Sequence, residues 1–114
     1  MIPKFRAWDK TLKKMNDVTA IDFSTKPFRV FYSAYGEDNY FNRDAILMQS
    51  TGLKDKNGVE IYEGDIVETI HGLCEVRYIK DGYHIVKDNK ISLLSHQNVR
   101  VVGNIYENPD WIEE

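Results

Sequence analysis

Hydrophobic and polar residues alternate over short segments of the chain, and turn residues separate these segments. This pattern is typical of an all-β protein, in which side chains along a strand point alternately to two faces. In the first half we predict strands at residues 2–8, 15–24 and 28–34, with a basic tip at DKTLKK and a polar turn at GEDN. Residues 42–48 fit a short helix as well as a strand, and the pattern leaves both open.

The second half of the chain has a clearer strand pattern. The predicted strands are IVETI, LCEVRYI, YHIVKD, ISLL and VRVVGNIY, and the short segments HG, KDG, DNK and SHQN separate them. Connections of this length predict that neighbouring strands pair antiparallel as a meander. In the final segment ENPDWIEE, Asn108 and Pro109 predict the cap and first residue of a single helical turn.

The stretch TGLKDKNGVEIYEGDIV, residues 51–67, is rich in acidic residues and glycine and has to be tested as a metal loop. A calcium loop counted from Asp55 would place Val59, Glu60 and Ile66 at its fifth, sixth and twelfth positions, where it needs a ligand, a glycine and a glutamate. We therefore interpret the stretch as scaffold, with a tight turn in which Gly58 takes positive φ. We also predict that Ile66 and Val76 are buried in strands.

Other candidate sites for chemistry are weakly supported. His71 and Cys74 are close together, but His84 and His96 do not form a second ligand pair of the kind that zinc sites use. Cys74 shares a predicted strand face with Val76, which favours a core position. Hydrolase motifs are absent from the sequence, so we expect no enzyme, no metal and no cofactor, and a carboxylate- or metal-dependent enzyme is the least favoured class.

Basic and acidic residues are distributed unequally along the chain. Residues 1–30 hold seven basic and three acidic side chains, a net charge of +4, whereas residues 51–114 hold seven basic and twelve acidic ones, a net charge of −5. Basic groups beside aromatic rings suit single-stranded nucleic acid, and they could equally form the solvated face of an edge strand. The candidate nucleic-acid-binding residues are Lys4, Arg6, Trp8, Lys10, Lys13 and Lys14.

Three ordered motifs carry a family resemblance. They are FRAWD near the N-terminus, TGLKDKNGVEIYEGDIV in the centre, preceded by Gln49, and GNIYENP near the C-terminus. With these motifs the chain resembles the YopX family of phage and prophage proteins. The resemblance implies a small SH3-like β-barrel and a setting in phages that infect bacteria, and it implies neither catalytic residues nor a molecular function.

Together these observations give our expectations for the whole protein. We expect an all-β fold in which residues 51–114 form an SH3-like barrel with a short C-terminal turn. Residues 1–50 are expected to form a β-strand region, including an N-terminal hairpin, that packs on this barrel. We expect a non-enzymatic module that binds a host or phage protein, with nucleic acid and a second copy of the chain as alternative partners. A single cysteine, the lack of a signal-peptide pattern and the lack of an apolar run of about 20 residues predict the bacterial cytoplasm and no membrane.

Overall fold

The computed structural model describes residues 4–112, and strands dominate this range. Its strands are β1 (Phe5–Asp9), β2 (Lys14–Asp22), β3 (Arg29–Ala34), β4 (Glu37–Phe41), β5 (Ile46–Lys54), β6 (Glu60–Tyr62), β7 (Asp65–Thr69), β8 (Gly72–Ile79), β9 (Gly82–Lys87), β10 (Lys90–Leu93) and β11 (Arg100–Asn104). Two short 3₁₀ turns lie at His96–Asn98 and Pro109–Trp111. Within this range no helix is long and apolar enough to cross a membrane. The predicted all-β class is confirmed, while Ile2 of the first predicted strand lies outside the described residues.

The strands form two antiparallel sheets, in the orders β4-β3-β2-β1-β5-β6 and β10-β9-β8-β7-β11. Contacts divide the chain into two compact units, 1–49 and 50–114. β5 contributes to both of them: its first four residues pair with β1, and the following residues pair with β6.

The first unit has a small core beneath the β1–β2–β3 ladder. Ala7, Val30 and Tyr32 are buried there, since alternate residues of each strand point to the same face. The β3–β4 hairpin turns at Tyr35 and Gly36, which have φ angles of 55° and 76°. Two consecutive left-handed residues make the tight turn that matches strand twist.

The second unit is built on the β7–β8–β9 meander. Its core is formed by Ile61, Val67, Cys74, Val76 and Val99. Ile66 is also fully buried, on the opposite face of β7 from Val67. Its cross-strand partner Gly103 lies against Trp111, so the C-terminal segment covers this second face of the sheet. The predicted burial of Ile66 and Val76 is therefore confirmed.

The predicted SH3-like barrel is not confirmed. In each sheet the two strands at the ends of the pairing order do not pair with each other within residues 4–112, so neither sheet closes. β11 does return to pair with β7, which places the last strand beside the first strand of the meander.

One local prediction needs correction, and the structure defines two segments that the sequence left open or unassigned. The turn predicted at GEDN is displaced toward the N-terminus, because the chain reverses at Tyr35–Gly36 and residues 37–41 form the polar edge strand β4. Residues 42–45 make a bend held by the Asn42 side chain, which accepts from the Asp44 N–H, and β5 starts at Ile46. The short strand β6 was not predicted, since three residues between two turns carry no readable alternation.

Candidate functional site

The predicted nucleic-acid-binding residues occupy different environments. Lys4 is exposed before β1, and Lys10, Lys13 and Lys14 are exposed around the β1–β2 turn. Arg6 is half-buried within β1, and Trp8 is only 9% exposed. The structure thus brings three lysines together at one turn, but it does not present the Trp8 ring beside them as a stacking surface.

Asp9 holds this basic turn in place. Its Oδ1 accepts the N–H groups of Thr11 and Leu12 at 2.9 and 2.8 Å, and its Oδ2 accepts the Tyr32 hydroxyl at 2.7 Å. Burial raises the pKa of Asp9, but the hydrogen bonds from Tyr32 and Leu12 outweigh this and leave the pKa below its usual value. Burial and the same hydrogen bond raise the pKa of the Tyr32 hydroxyl. Asp9 therefore acts as a structural acceptor.

Asp55 has a similar role in the central motif. Its Oδ1 accepts the N–H groups of Asn57 and Val59 at 2.8 and 2.9 Å, and its Oδ2 accepts that of Val101 at 2.8 Å. Burial raises the pKa of this carboxyl. The three backbone donors lower it by more than burial raises it, so the pKa lies below its usual value. The positive φ of the turn falls on Gly58, at 82°, as predicted. This buried carboxylate joins the β5–β6 turn to β11.

The remaining buried polar residues of the motifs also serve the backbone. Asp65 accepts the Tyr62 N–H at 2.8 Å. The Asn104 side-chain oxygen accepts the N–H groups of Tyr106 and Glu107 at 3.0 and 2.8 Å, which starts the C-terminal segment. The interpretation of the central stretch as scaffold agrees with these contacts.

The histidines and the cysteine are dispersed. Cys74 is buried in the core of the second unit. The Nδ1 atoms of His84 and His96 lie 3.1 and 2.8 Å from the carbonyl oxygens of Gly82 and Lys54. Among residues 4–112, no three side chains of the metal-ligating types His, Cys, Asp and Glu come together.

Four phenylalanines of β3, β4 and the β2–β3 turn form two ring pairs, and we refer to the four residues together as the phenylalanine cluster: Phe23, Phe28, Phe31 and Phe41. The rings of Phe23 and Phe28 meet edge to face at 4.9 Å, and those of Phe31 and Phe41 are 5.6 Å apart on paired strands. Phe23, Phe28 and Phe41 are 61%, 46% and 39% exposed. The Arg29 guanidinium lies 5.9 Å from the centre of the Phe41 ring.

The phenylalanine cluster was not identified from the sequence. In FRVFYSA the outward residue Phe31 is as apolar as its buried neighbours Val30 and Tyr32, so alternation does not reveal which face is exposed. A usable signal was present in DFSTKPF, where Phe23 and Phe28 flank a turn. Large aromatic residues in a turn are unusual, because turns normally lie at the surface.

Comparisons with known proteins agree with the architecture. Protein EF1440 from Enterococcus faecalis, known from a crystal structure, is similar over 99% of each chain, with 32% sequence identity and a TM-score of 0.66. No curated protein gives a significant match. The family model described as YopX protein matches residues 4–113, which is nearly the whole chain. The chain belongs to the YopX family.

Proposed function

We propose that this protein is a non-enzymatic accessory protein of a phage or prophage that binds another protein in the bacterial cytoplasm. The phenylalanine cluster is the proposed contact surface. The observation that carries this proposal is the exposure of three of its four rings, which form two contacting pairs in the first unit.

Exposed aromatic rings that contact one another favour a protein-binding role for this surface. Burying a large apolar side chain completely stabilises a protein or a complex by about 1.5–3 kcal/mol. An exposed ring does not contribute this free energy until a partner covers it. Scattered apolar residues at a surface are ordinary, but clustered ones mark contact sites. Aromatic residues and arginine are enriched at protein interfaces, and Arg29 lies directly beside Phe41.

The non-enzymatic part of the proposal is supported by the use of the buried acidic side chains. Asp9 and Asp55 direct both carboxylate oxygens at donors of the protein itself. Their pKa values are lowered, so they are held ionised as hydrogen-bond acceptors. A general acid would need the opposite shift, toward neutral pH.

Nucleic-acid binding is the second candidate function, and the exposed lysines of the β1–β2 turn favour it. With Trp8 buried, its chemistry would be phosphate contact without stacking on that ring, which implies weak and salt-dependent binding. Fluorescent single strands titrated at two salt concentrations test it, with Lys10, Lys13 and Lys14 replaced by glutamate as the comparison. A tight, salt-sensitive affinity that this triple variant abolishes would promote nucleic acid to the leading candidate.

A second copy of the chain is the alternative protein partner. β4 and β10 each end a sheet, and edge strands can pair with another chain. β10 is exposed along its whole length. Light scattering over a wide concentration range tests self-association, and a constant monomer mass would remove this alternative.

The proposed function is tested by capture from a nuclease-treated bacterial lysate. The bait variant carries Phe23→Ser and Phe41→Ser, which removes one exposed ring from each pair. The matched control is Tyr35→Ser, because Tyr35 is 61% exposed in the same unit but lies at the β3–β4 turn. A protein captured by the wild type and by the control, and lost with the double variant, is the expected result. Equal capture by all three baits would refute the proposal.

An SH3-like arrangement of the second unit is also retained as a proposal. Its support is the antiparallel meander β7–β8–β9–β10, followed by a 3₁₀ turn and by β11, which returns to pair with β7.

A further inference from the structure

A cavity in the second unit presents an unusual set of side chains. Its volume is about 450 Å³, and it lies where β8, β9 and β10 meet the β7–β8 turn. The residues that bear on a ligand are Thr69, His71, Ile85, Lys87, Lys90 and Ser92. A volume of this size is within the range of small-molecule sites.

Two lysines that line the cavity are neighbours on paired strands. Lys87 of β9 and Lys90 of β10 are direct cross-strand partners, so their side chains stand on the same face of the sheet. Like charges placed directly opposite on paired strands destabilise a sheet. Asp88 also lines the cavity, but among the described residues it forms no ion pair with either lysine. Two ammonium groups against one carboxylate leave a net charge of +1.

Hydrogen-bond donors are available within the same cavity. Lys87 donates to the His71 carbonyl oxygen at 2.5 Å, which holds its ammonium group over Gly72. The side chains of Lys90 and Ser92 form no hydrogen bond or ion pair with the described part of the chain. These donor groups therefore favour a ligand that accepts hydrogen bonds and carries negative charge.

We propose that this cavity binds a small phosphate-bearing molecule, with the phosphate between Lys87 and Lys90. A phosphate group matches the two ammonium groups in charge and offers several acceptor oxygens to Ser92 as well. No arginine is present among the described residues that line the cavity, which favours phosphate over a planar carboxylate, since lysine binds as a point charge and arginine supplies the bidentate fork. Ile85 in the lining gives the organic part of the ligand an apolar contact. This site is independent of the phenylalanine cluster and of the proposed function.

The test is an NMR titration of the ¹⁵N-labelled full chain with phenyl phosphate, inorganic phosphate and benzoate. Both phosphates are expected to shift the backbone amides of Thr69, His71, Lys87, Lys90 and Ser92 in a saturable way. Phenyl phosphate is expected to bind more tightly than inorganic phosphate because of its ring, and benzoate more weakly than either.

Variants locate the site. Lys90→Gln is expected to weaken phenyl phosphate binding by about tenfold or more, since one of two charge-assisted contacts is lost. Lys90→Arg keeps the charge and is expected to retain most of the binding. Lys80→Gln is the matched control, because Lys80 lies in the β8–β9 turn, at the other end of β9 from Lys87 and Lys90.

Three results would overturn the proposal. One is the absence of saturable shifts at millimolar phosphate, and another is equal weakening by Lys80→Gln and Lys90→Gln. The third is benzoate binding as tightly as phenyl phosphate, which would assign the cavity to carboxylates instead.

Discussion

Single buried polar side chains hold the turns of this protein together. Asp55 is the clearest example, because its carboxylate accepts N–H groups from its own turn and from the distant strand β11. Asp9 and Asn104 likewise accept backbone N–H groups, of the β1–β2 turn and of the C-terminal segment respectively. Buried N–H groups need such partners, because an unpaired one costs about 1–3 kcal/mol.

Replacing Asp55 by asparagine should therefore destabilise the fold. The amide keeps the shape, but it has only one acceptor oxygen, and its NH₂ group would face backbone donors. We expect a loss of about 1–3 kcal/mol in the free energy of unfolding, measured by urea denaturation. Asp81→Asn in the exposed β8–β9 turn is the control and should change little. Equal midpoints for the two variants would contradict the role assigned to Asp55.

The same carboxylate predicts the pH dependence of stability. Burial raises the pKa of Asp55, but the backbone donors of Val101, Val59 and Asn57 lower it to below its ordinary value of 3.8. A group whose pKa is lower in the folded state stabilises the fold above its unfolded-state pKa and loses that contribution as pH falls through the folded-state pKa. The urea midpoint should thus hold steady down to about pH 5 and fall below about pH 4. The decline should be shallower for Asp55→Asn, and parallel profiles would count against this account.

At the scale of elements, the C-terminal segment depends on a glycine in β11. A Cβ atom at Gly103 would lie closer than 3.0 Å to both Asn108 Oδ1 and Trp111 Cζ3, which real Cβ atoms do not do. Gly103→Ala should cost about 1–3 kcal/mol, as overpacking does, and displace the segment. Gly82→Ala is the control, because its nearest contact is an ordinary 3.7 Å to His84. Urea midpoints compare the two, and an undisturbed Gly103→Ala variant would show that the segment packs elsewhere.

Two isoleucines in or next to β7 provide a matched test of the second sheet. Ile66 is fully buried and Ile70, just after the strand, is 93% exposed. Ile66→Ala is expected to destabilise the protein by about 2–5 kcal/mol, and Ile70→Ala to leave the denaturation midpoint almost unchanged. Similar midpoints for the two variants would show that the strand assignment is wrong.

The strands of β7, β8 and β9 could be predicted because each has one strongly apolar face and ends at a turn with glycine or aspartate. β4 and β6 could not, for different reasons. β4 is an edge strand whose first three residues are polar and exposed, and β6 is too short to show a period. The role of Asp55 as scaffold was predicted from turn chemistry, whereas its bond to Val101 joins residues 46 positions apart and depends on tertiary pairing.

At the scale of the whole molecule, the candidate binding surfaces are distributed over both units. The first unit carries the phenylalanine cluster and the basic turn, and the second carries the lysine-lined cavity. The sequence carries a signal for Phe23 and Phe28 at their turn, but the pairing of Phe31 with Phe41 and the lining of the cavity could not be predicted, since they join residues from separate strands. The basic turn was visible because its lysines are neighbours in sequence.

The most direct test of the central claim is a hydrogen-exchange footprint of this protein with the purified captured partner. The account predicts slower exchange in residues 23–41, which span the phenylalanine cluster, and unchanged exchange in the β1–β2 turn at residues 10–14. The double variant Phe23→Ser and Phe41→Ser should show no footprint at the same concentrations. Protection confined to residues 10–14, or to the second unit, would contradict the claim that the protein binds its partner through the phenylalanine cluster.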